Sequence, residues 1–145
     1  MTASSLAIKR LLLSTFVVGI LGTTAELLLL GHIDGWQQMI PLALLSMSIV
    51  ALALHAWKPT WTTSAAFLIT MWLFLFSGAV GVALHFQGNT EFELEMYPEM
   101  KGIELIQKTL TGATPVLAPG AMALLGLVGM AYLRVADGAG ADRLE

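Results

Sequence analysis

Four apolar runs of about twenty residues or more dominate the chain, and a hydrocarbon layer about 30 Å thick is crossed by about 20 residues of helix. They fall at about 11–31, 39–57, 61–86 and 113–134. Little chain remains for a separate soluble domain, so residues 1–145 read as a single transmembrane domain, an all-α integral membrane protein built as a four-transmembrane-helix bundle. The composition agrees: 57% of residues are apolar and 12% charged, against about 45–50% and about 25% in soluble domains.

Each run carries its own boundary signals. Lys9 and Arg10 precede the first, in the manner of a secretory signal. A signal core, however, is only about 7–15 residues long, and this run passes Thr23-Thr24-Ala25 and continues through Leu30. A retained span is expected. The second opens at Pro41, whose ring suits a first helical turn, and Lys58-Pro59 closes it, because the residue before proline disfavours helix. The third starts at Trp61, placed with Trp57 to anchor one interface, and Gly88-Asn89 is expected to stop it. The fourth opens through Pro115 and Pro119, where a kink or frayed turn is expected. Residues 135–145 read as a loose tail.

The basic residues divide unequally. Lys9, Arg10, Lys58, Arg134 and Arg143 fall on one side, and Lys101 and Lys108 on the other. Since Lys and Arg favour the cytoplasmic side, the expected location is the cytoplasmic (inner) membrane with both termini cytoplasmic. The outer loops, 31–38 and 87–112, then present Asp34, Glu91, Glu93, Glu95, Glu99 and Glu104 against two lysines. The net charge of −3 and the lack of a Lys/Arg-rich run argue against nucleic acid as a partner. The absence of cysteine excludes disulfide chemistry, a thiolate nucleophile, Cys-ligated clusters and c-type haem. The two halves share neither loop length nor charge pattern, which argues against an inverted-repeat transporter.

Helices in lipid pack through small residues that let backbones approach. Gly19, Gly22, Thr23 and Glu26 lie on one face of the first span, and Ser77, Gly78, Gly81 and His85 on one face of the third. Ala123, Gly126 and Met130 form the corresponding stripe of the fourth, and Ser48, Ala51 and His55 a weaker one in the second. These faces are expected to meet, with Gly19, Gly22, Ser77, Gly78, Gly81, Ala123 and Gly126 as the packing residues.

Glu26 is the most informative polar residue, because a carboxylate within a span is costly and normally faces protein or water. Pairing with His85 is the working expectation, with Thr23 and His32 as neighbours in ligand or proton handling. The bland alternative keeps Glu26 protonated, hydrogen-bonded to Thr23, or wet near the surface. His32 and His85 share the outer boundary, which raises haem or a metal there. Without a ligand motif, interfacial anchoring is the preferred use of these rings, and neither cofactor nor metal is expected.

The outer segment between spans three and four is expected to form a lid over residues 87–112. Glu91 to Met96 alternate acid and apolar with a strand-like period of two, so an extended segment is expected there. Met100, Ile103, Ile106 or Gln107, and Leu110 then recur at helical spacing, as in an amphipathic interfacial helix. Glu91, Glu93, Glu95 and Glu99 are candidate partner-docking residues, although a charge run is commonly only a solvated face.

Two function classes follow. One is a non-catalytic accessory, structural or interaction subunit, contacting membrane lipids and other membrane protein subunits or itself. The other is a small transporter, channel or protein binding lipid, quinone or an ion in a pocket around Glu26 and His85. An enzyme ranks last: no Ser-His-Asp, HExxH, P-loop or nucleotide fingerprint occurs.

Overall fold

The computed structural model describes residues 2–141, with side chains through Asp137. Five helices account for most of these: α1 (Ala3–Leu29), α2 (Trp36–Trp57), α3 (Trp61–Met96), α4 (Gly102–Leu110) and α5 (Gly120–Ala141), with no strand among the described residues. Four of them, all but α4, are long and apolar enough to cross a membrane.

Local chemistry explains where these helices begin and end. Thr2 caps α1 by accepting the Ser5 N–H, so the helix starts at Ala3 and carries Lys9 and Arg10 on it, rather than starting at residue 11. Gly31, at φ 62°, ends α1. There the His32 N–H donates to the Leu27 carbonyl and the Gly31 N–H to the Leu28 carbonyl, the pattern by which a left-handed glycine satisfies a helix's last carbonyls. After Pro59, Thr60 and Thr63 cap α3 reciprocally: the Thr63 N–H donates to Thr60 Oγ1, and the Thr60 N–H to Thr63 Oγ1.

Several sequence expectations need correction. Pro41 does not open α2. The helix starts five residues earlier, at Trp36, with Gly35 as its cap and Gly35 O accepting from the Gln38 and Met39 N–H groups. Gly88-Asn89 does not stop α3 at residue 86, and Glu91–Met96 is helix, not an extended segment. Glu, Leu and Met are good helix formers, and six residues of alternation cannot outweigh a helix already propagating from below. Contacts one turn apart support it, with Gln87 Nε2 donating to Glu91 and Thr90 Oγ1 to the Phe86 carbonyl. The helix ends at Tyr97-Pro98, where proline disfavours continuation.

The last span is also shifted. Residues 113–119 form turns, with the Ala118 N–H donating to Pro115 O and the Gly120 N–H to Leu117 O, and α5 starts at Gly120. Both prolines therefore precede the helix instead of kinking it. Helix continues through residues 135–141, expected as tail; residues 142–145, including Arg143, lie outside the described residues. The amphipathic helix expected from Glu99 to Leu110 is present as α4, starting at Gly102.

The core is an aromatic and aliphatic seam at the meeting of the four long helices. Phe16 of α1 meets Phe67 of α3 edge-on at 5.6 Å, and Phe67 meets Tyr132 of α5 at 6.2 Å. Ile20, Leu45, Met71, Phe74, Met122 and Leu125 are buried around them. α3 is the central element, packed against α2, α4 and most extensively α5, while α1 leans mainly on α5.

The contact between α3 and α5 is made at backbone distance. A Cβ added to Gly78 would stand 2.8 Å from the Ala123 nitrogen, one added to Gly126 2.8 Å from the Met71 carbonyl oxygen, and one added to Gly81 2.6 Å from Pro119. Gly19 meets Leu125 in the same way. The small-residue faces thus do meet, with two amendments. Gly22 has no neighbour within 4 Å of its would-be Cβ, and Gly129, which lay outside the expected stripe, packs on Met71 and Phe16.

This difference is testable. Gly78→Val drives a side chain into the α5 backbone, and overpacking costs about 1–3 kcal/mol or more, lowering the thermal midpoint in detergent. Gly22→Ala, with open space around it, is expected to hold that midpoint or raise it, since alanine favours helix by about 0.5–1 kcal/mol. Equal midpoints for the two variants would show that the glycine contact does not set stability.

Candidate functional site

Polar side chains gather at two places, one at each end of the bundle. At the end shared by the start of α1 and the 58–60 turn, His55 of α2 is buried between two rings. Phe67 of α3 stacks on the imidazole at 6.3 Å, and Tyr132 of α5 meets it edge-on at 6.4 Å. Its Nδ1 lies 3.3 Å from Ser64 Oγ, which in turn donates to Asp137 Oδ1 at 3.4 Å. A serine hydroxyl has a single proton. With that proton on Asp137, the imidazole Nδ1–H donates to serine, giving a chain from a buried ring to an exposed carboxylate. Lys9 of α1 completes the cluster, its Nζ 5.7 Å from the Tyr132 ring centroid, within cation–π range. All four long helices contribute to it.

At the opposite end, Asn89 of α3 is the hub. Its Nδ2 donates to the Thr109 carbonyl at 2.9 Å and the Thr114 carbonyl at 2.8 Å. Its Oδ1 accepts from the Thr114 N–H at 3.2 Å and the Thr114 hydroxyl at 2.6 Å. Thr90 Oγ1 and Thr109 Oγ1, 3.1 Å apart, add a second tie. One buried amide thereby fixes the end of α4 and the chain returning to α5 onto the upper part of α3. Gly112 is required beside it, since a Cβ there would meet the Asn89 amide at 2.8 Å. Five residues connect α3 to α4, whose far end returns to Asn89, so α3 and α4 form an antiparallel hairpin.

The residues singled out from sequence lie towards the Asn89 end. His85 is half-buried, with Nδ1 3.1 Å from the Pro115 carbonyl oxygen, so it pins the turn before α5. Glu26 is exposed near the end of α1, with Thr23 half-buried one turn below and His32 half-buried in the turn that follows. Glu91, Glu95 and Glu99 are exposed on the hairpin and Glu93 is half-buried. Among the described residues, no three of His, Asp and Glu converge as a metal would require.

Both hubs escaped the sequence reading. Asn89 resembled a helix stop. His55 falls on a packing stripe, and Ser48, Ala51 and His55 are indeed all buried, but Ser64 stands 9 residues from His55 along the chain and Asp137 a further 73 beyond Ser64. The buried stripe was the available signal. Comparison of the chain with known protein families, with characterised proteins and with solved structures gives no match.

Substitutions at each hub test these roles. Asn89→Leu leaves the Thr109 and Thr114 backbone groups without their partner, at about 1–3 kcal/mol. Amide exchange at residues 109–114 is expected to accelerate while exchange in the centre of α3 stays slow; unchanged exchange at 109–114 would show that the amide does not hold the hairpin. His55→Ala removes a ring from between Phe67 and Tyr132, at about 2–4 kcal/mol, and His55→Phe is expected to recover part of that loss in a thermal melt. If alanine and phenylalanine melt alike, the ring does not act through packing.

Proposed function

We propose that this chain is a non-catalytic component of a membrane assembly: a four-span bundle that carries a rigid helical hairpin to a partner protein. The observation that carries the reading is the Asn89 clamp. Four hydrogen bonds from one buried side chain hold α4 and the returning chain on α3, although α4 exposes much of its apolar surface. An apolar helix held in place and left uncovered is what a docking element requires, because a surface ordered in advance binds without the cost of ordering it.

The bilayer reading sets the height of this element. Trp57 and Trp61 are each 85% exposed and suit one interface, where tryptophan is enriched. With a rise of about 1.5 Å per residue, Gly81 lies about 30 Å from Trp61, at the opposite hydrocarbon boundary. Asn89 to Met96, and α4 beside them, then stand about 12–22 Å beyond that boundary. The basic residues at the other end, including Lys9, Arg10 and Lys58, favour a cytoplasmic position, which supports the reading of the hairpin as lying on the outer face of an inner membrane.

A second reading rests on Glu26. Its exposed carboxylate, ten residues beyond Phe16 on α1, suits handling of an ion or a lipid headgroup near the same boundary, with His85 and the turn at Pro115 close in height. In this reading the chain is a small transporter, channel or lipid-, quinone- or ion-binding protein.

Native mass spectrometry of the protein, extracted gently from its own membrane, separates the two. The proposal expects a second polypeptide to stay attached, to be lost in Asn89→Leu and to be kept in Glu26→Gln. A bare chain carrying lipid, quinone, haem or metal, with that mass lost in Glu26→Gln, would replace it by the second reading.

A further inference from the structure

Along the nine residues of α4, Leu105 is half-buried and Thr109 fully buried on the side that meets α3, while Glu104 and Lys108, one turn apart, lie on one flank of that side. The other flank is a third face. Ile103, Ile106 and Leu110, at spacings of three and four, are 70%, 46% and 50% exposed. The helix is therefore apolar over a wider arc than α3 covers, and the uncovered part is a continuous stripe.

Three occupants can be weighed for that stripe. The lipid surface is too low: α4 runs alongside the part of α3 that lies about 12–22 Å past the hydrocarbon boundary. A tilt of about 20°, the average for spanning helices, lowers this by about 3 Å. A second copy is opposed by charge. Residues 87–112 carry Glu91, Glu93, Glu95, Glu99 and Glu104 against Lys101 and Lys108, a net charge of −3, so two hairpins face to face would repel. The same field favours a partner of opposite charge.

We infer that the Ile103–Ile106–Leu110 stripe docks a basic amphipathic helix of another protein. Apolar side chains at helical spacing on the partner seat on this stripe, as amphipathic helices do in helix recognition, and its lysines or arginines answer the net negative charge of residues 87–112. The apolar contact supplies attachment, and the acidic field supplies selection and rate. This inference rests on reading the chain as a component of a membrane assembly, but its test does not require the native partner.

The full-length protein in phosphatidylcholine nanodiscs is titrated with two synthetic helices of about 18 residues, five turns. They share one leucine stripe and carry either lysine or glutamate at every polar position, and empty discs serve as the blank. The lysine helix is expected to bind the protein about tenfold or more tighter than the glutamate helix. That advantage is expected to shrink in about 1 M salt, where charges are screened within about 3 Å. Ile106→Glu and, independently, the more exposed Ile103→Glu are expected to abolish binding without moving the thermal midpoint. Equal affinity for the two helices, binding no greater than to empty discs, or binding that survives both substitutions would overturn the inference. So would quenching of a fluorophore at position 106 by brominated lipid, which would assign the stripe to the membrane, or a disulfide dimer of Ile106→Cys, which would assign it to a second copy. Failure here with a polypeptide still attached in native mass spectrometry would leave the assembly reading standing and move the dock elsewhere.

Discussion

The close approach of α3 and α5 is the contact on which the rest of the structure depends. On the reading of these helices as membrane spans, burial from water does not drive them together, and packing at short range must do so. Gly78, Gly81 and Gly126 bring the two backbones near enough for Ala123 N, Met71 O and Pro119 to fill the places where side chains would stand. Everything else is hung on that pair. α1 rests on α5, α2 on α3, and the ring cluster of Phe16, Phe67 and Tyr132 closes the space between them.

The two ends of the pair are then finished differently. At the α1 start, a buried imidazole with aromatic walls joins all four long helices. At the other end, α3 outruns its partners, and a single amide binds the excess helix to α4 and to the returning chain. Both use polar groups where water is scarce, and such groups are retained when their hydrogen bonds are satisfied. The result is a bundle whose hydrogen bonds fix an uncovered apolar stripe against α3, which underlies the proposed role as a docking component.

Much of the fold was legible in the chain. Four long apolar helices, the stop at Lys58-Pro59 and the amphipathic character of residues 103–110 follow from hydropathy, proline and period alone. The packing stripes were legible in part: Gly19, Gly78, Gly81, Ala123 and Gly126 lie at contacts, whereas Gly22 faces open space and Gly129 was missed. A helical stripe shows which residues share a face. How much of that face a neighbour covers depends on where helices cross, and one sequence does not carry that geometry.

The errors concern competition between local and distant interactions. Gly88-Asn89 has the local chemistry of a helix end, and the acid–apolar alternation of Glu91–Met96 has that of a strand. Yet the side chain of Asn89 is engaged 20 and 25 residues away along the chain, and α3 continues past it. Likewise His55 acquires its role only when Ser64, Phe67, Tyr132 and Asp137 arrive from two other helices. Sequence by itself determined which segments are apolar enough to span and which residue types could pack or ionise, because those are properties of single side chains and their spacing. The tertiary structure alone decided which polar groups are buried together and which apolar ones stay uncovered, because hydrogen bonds and packing act through space.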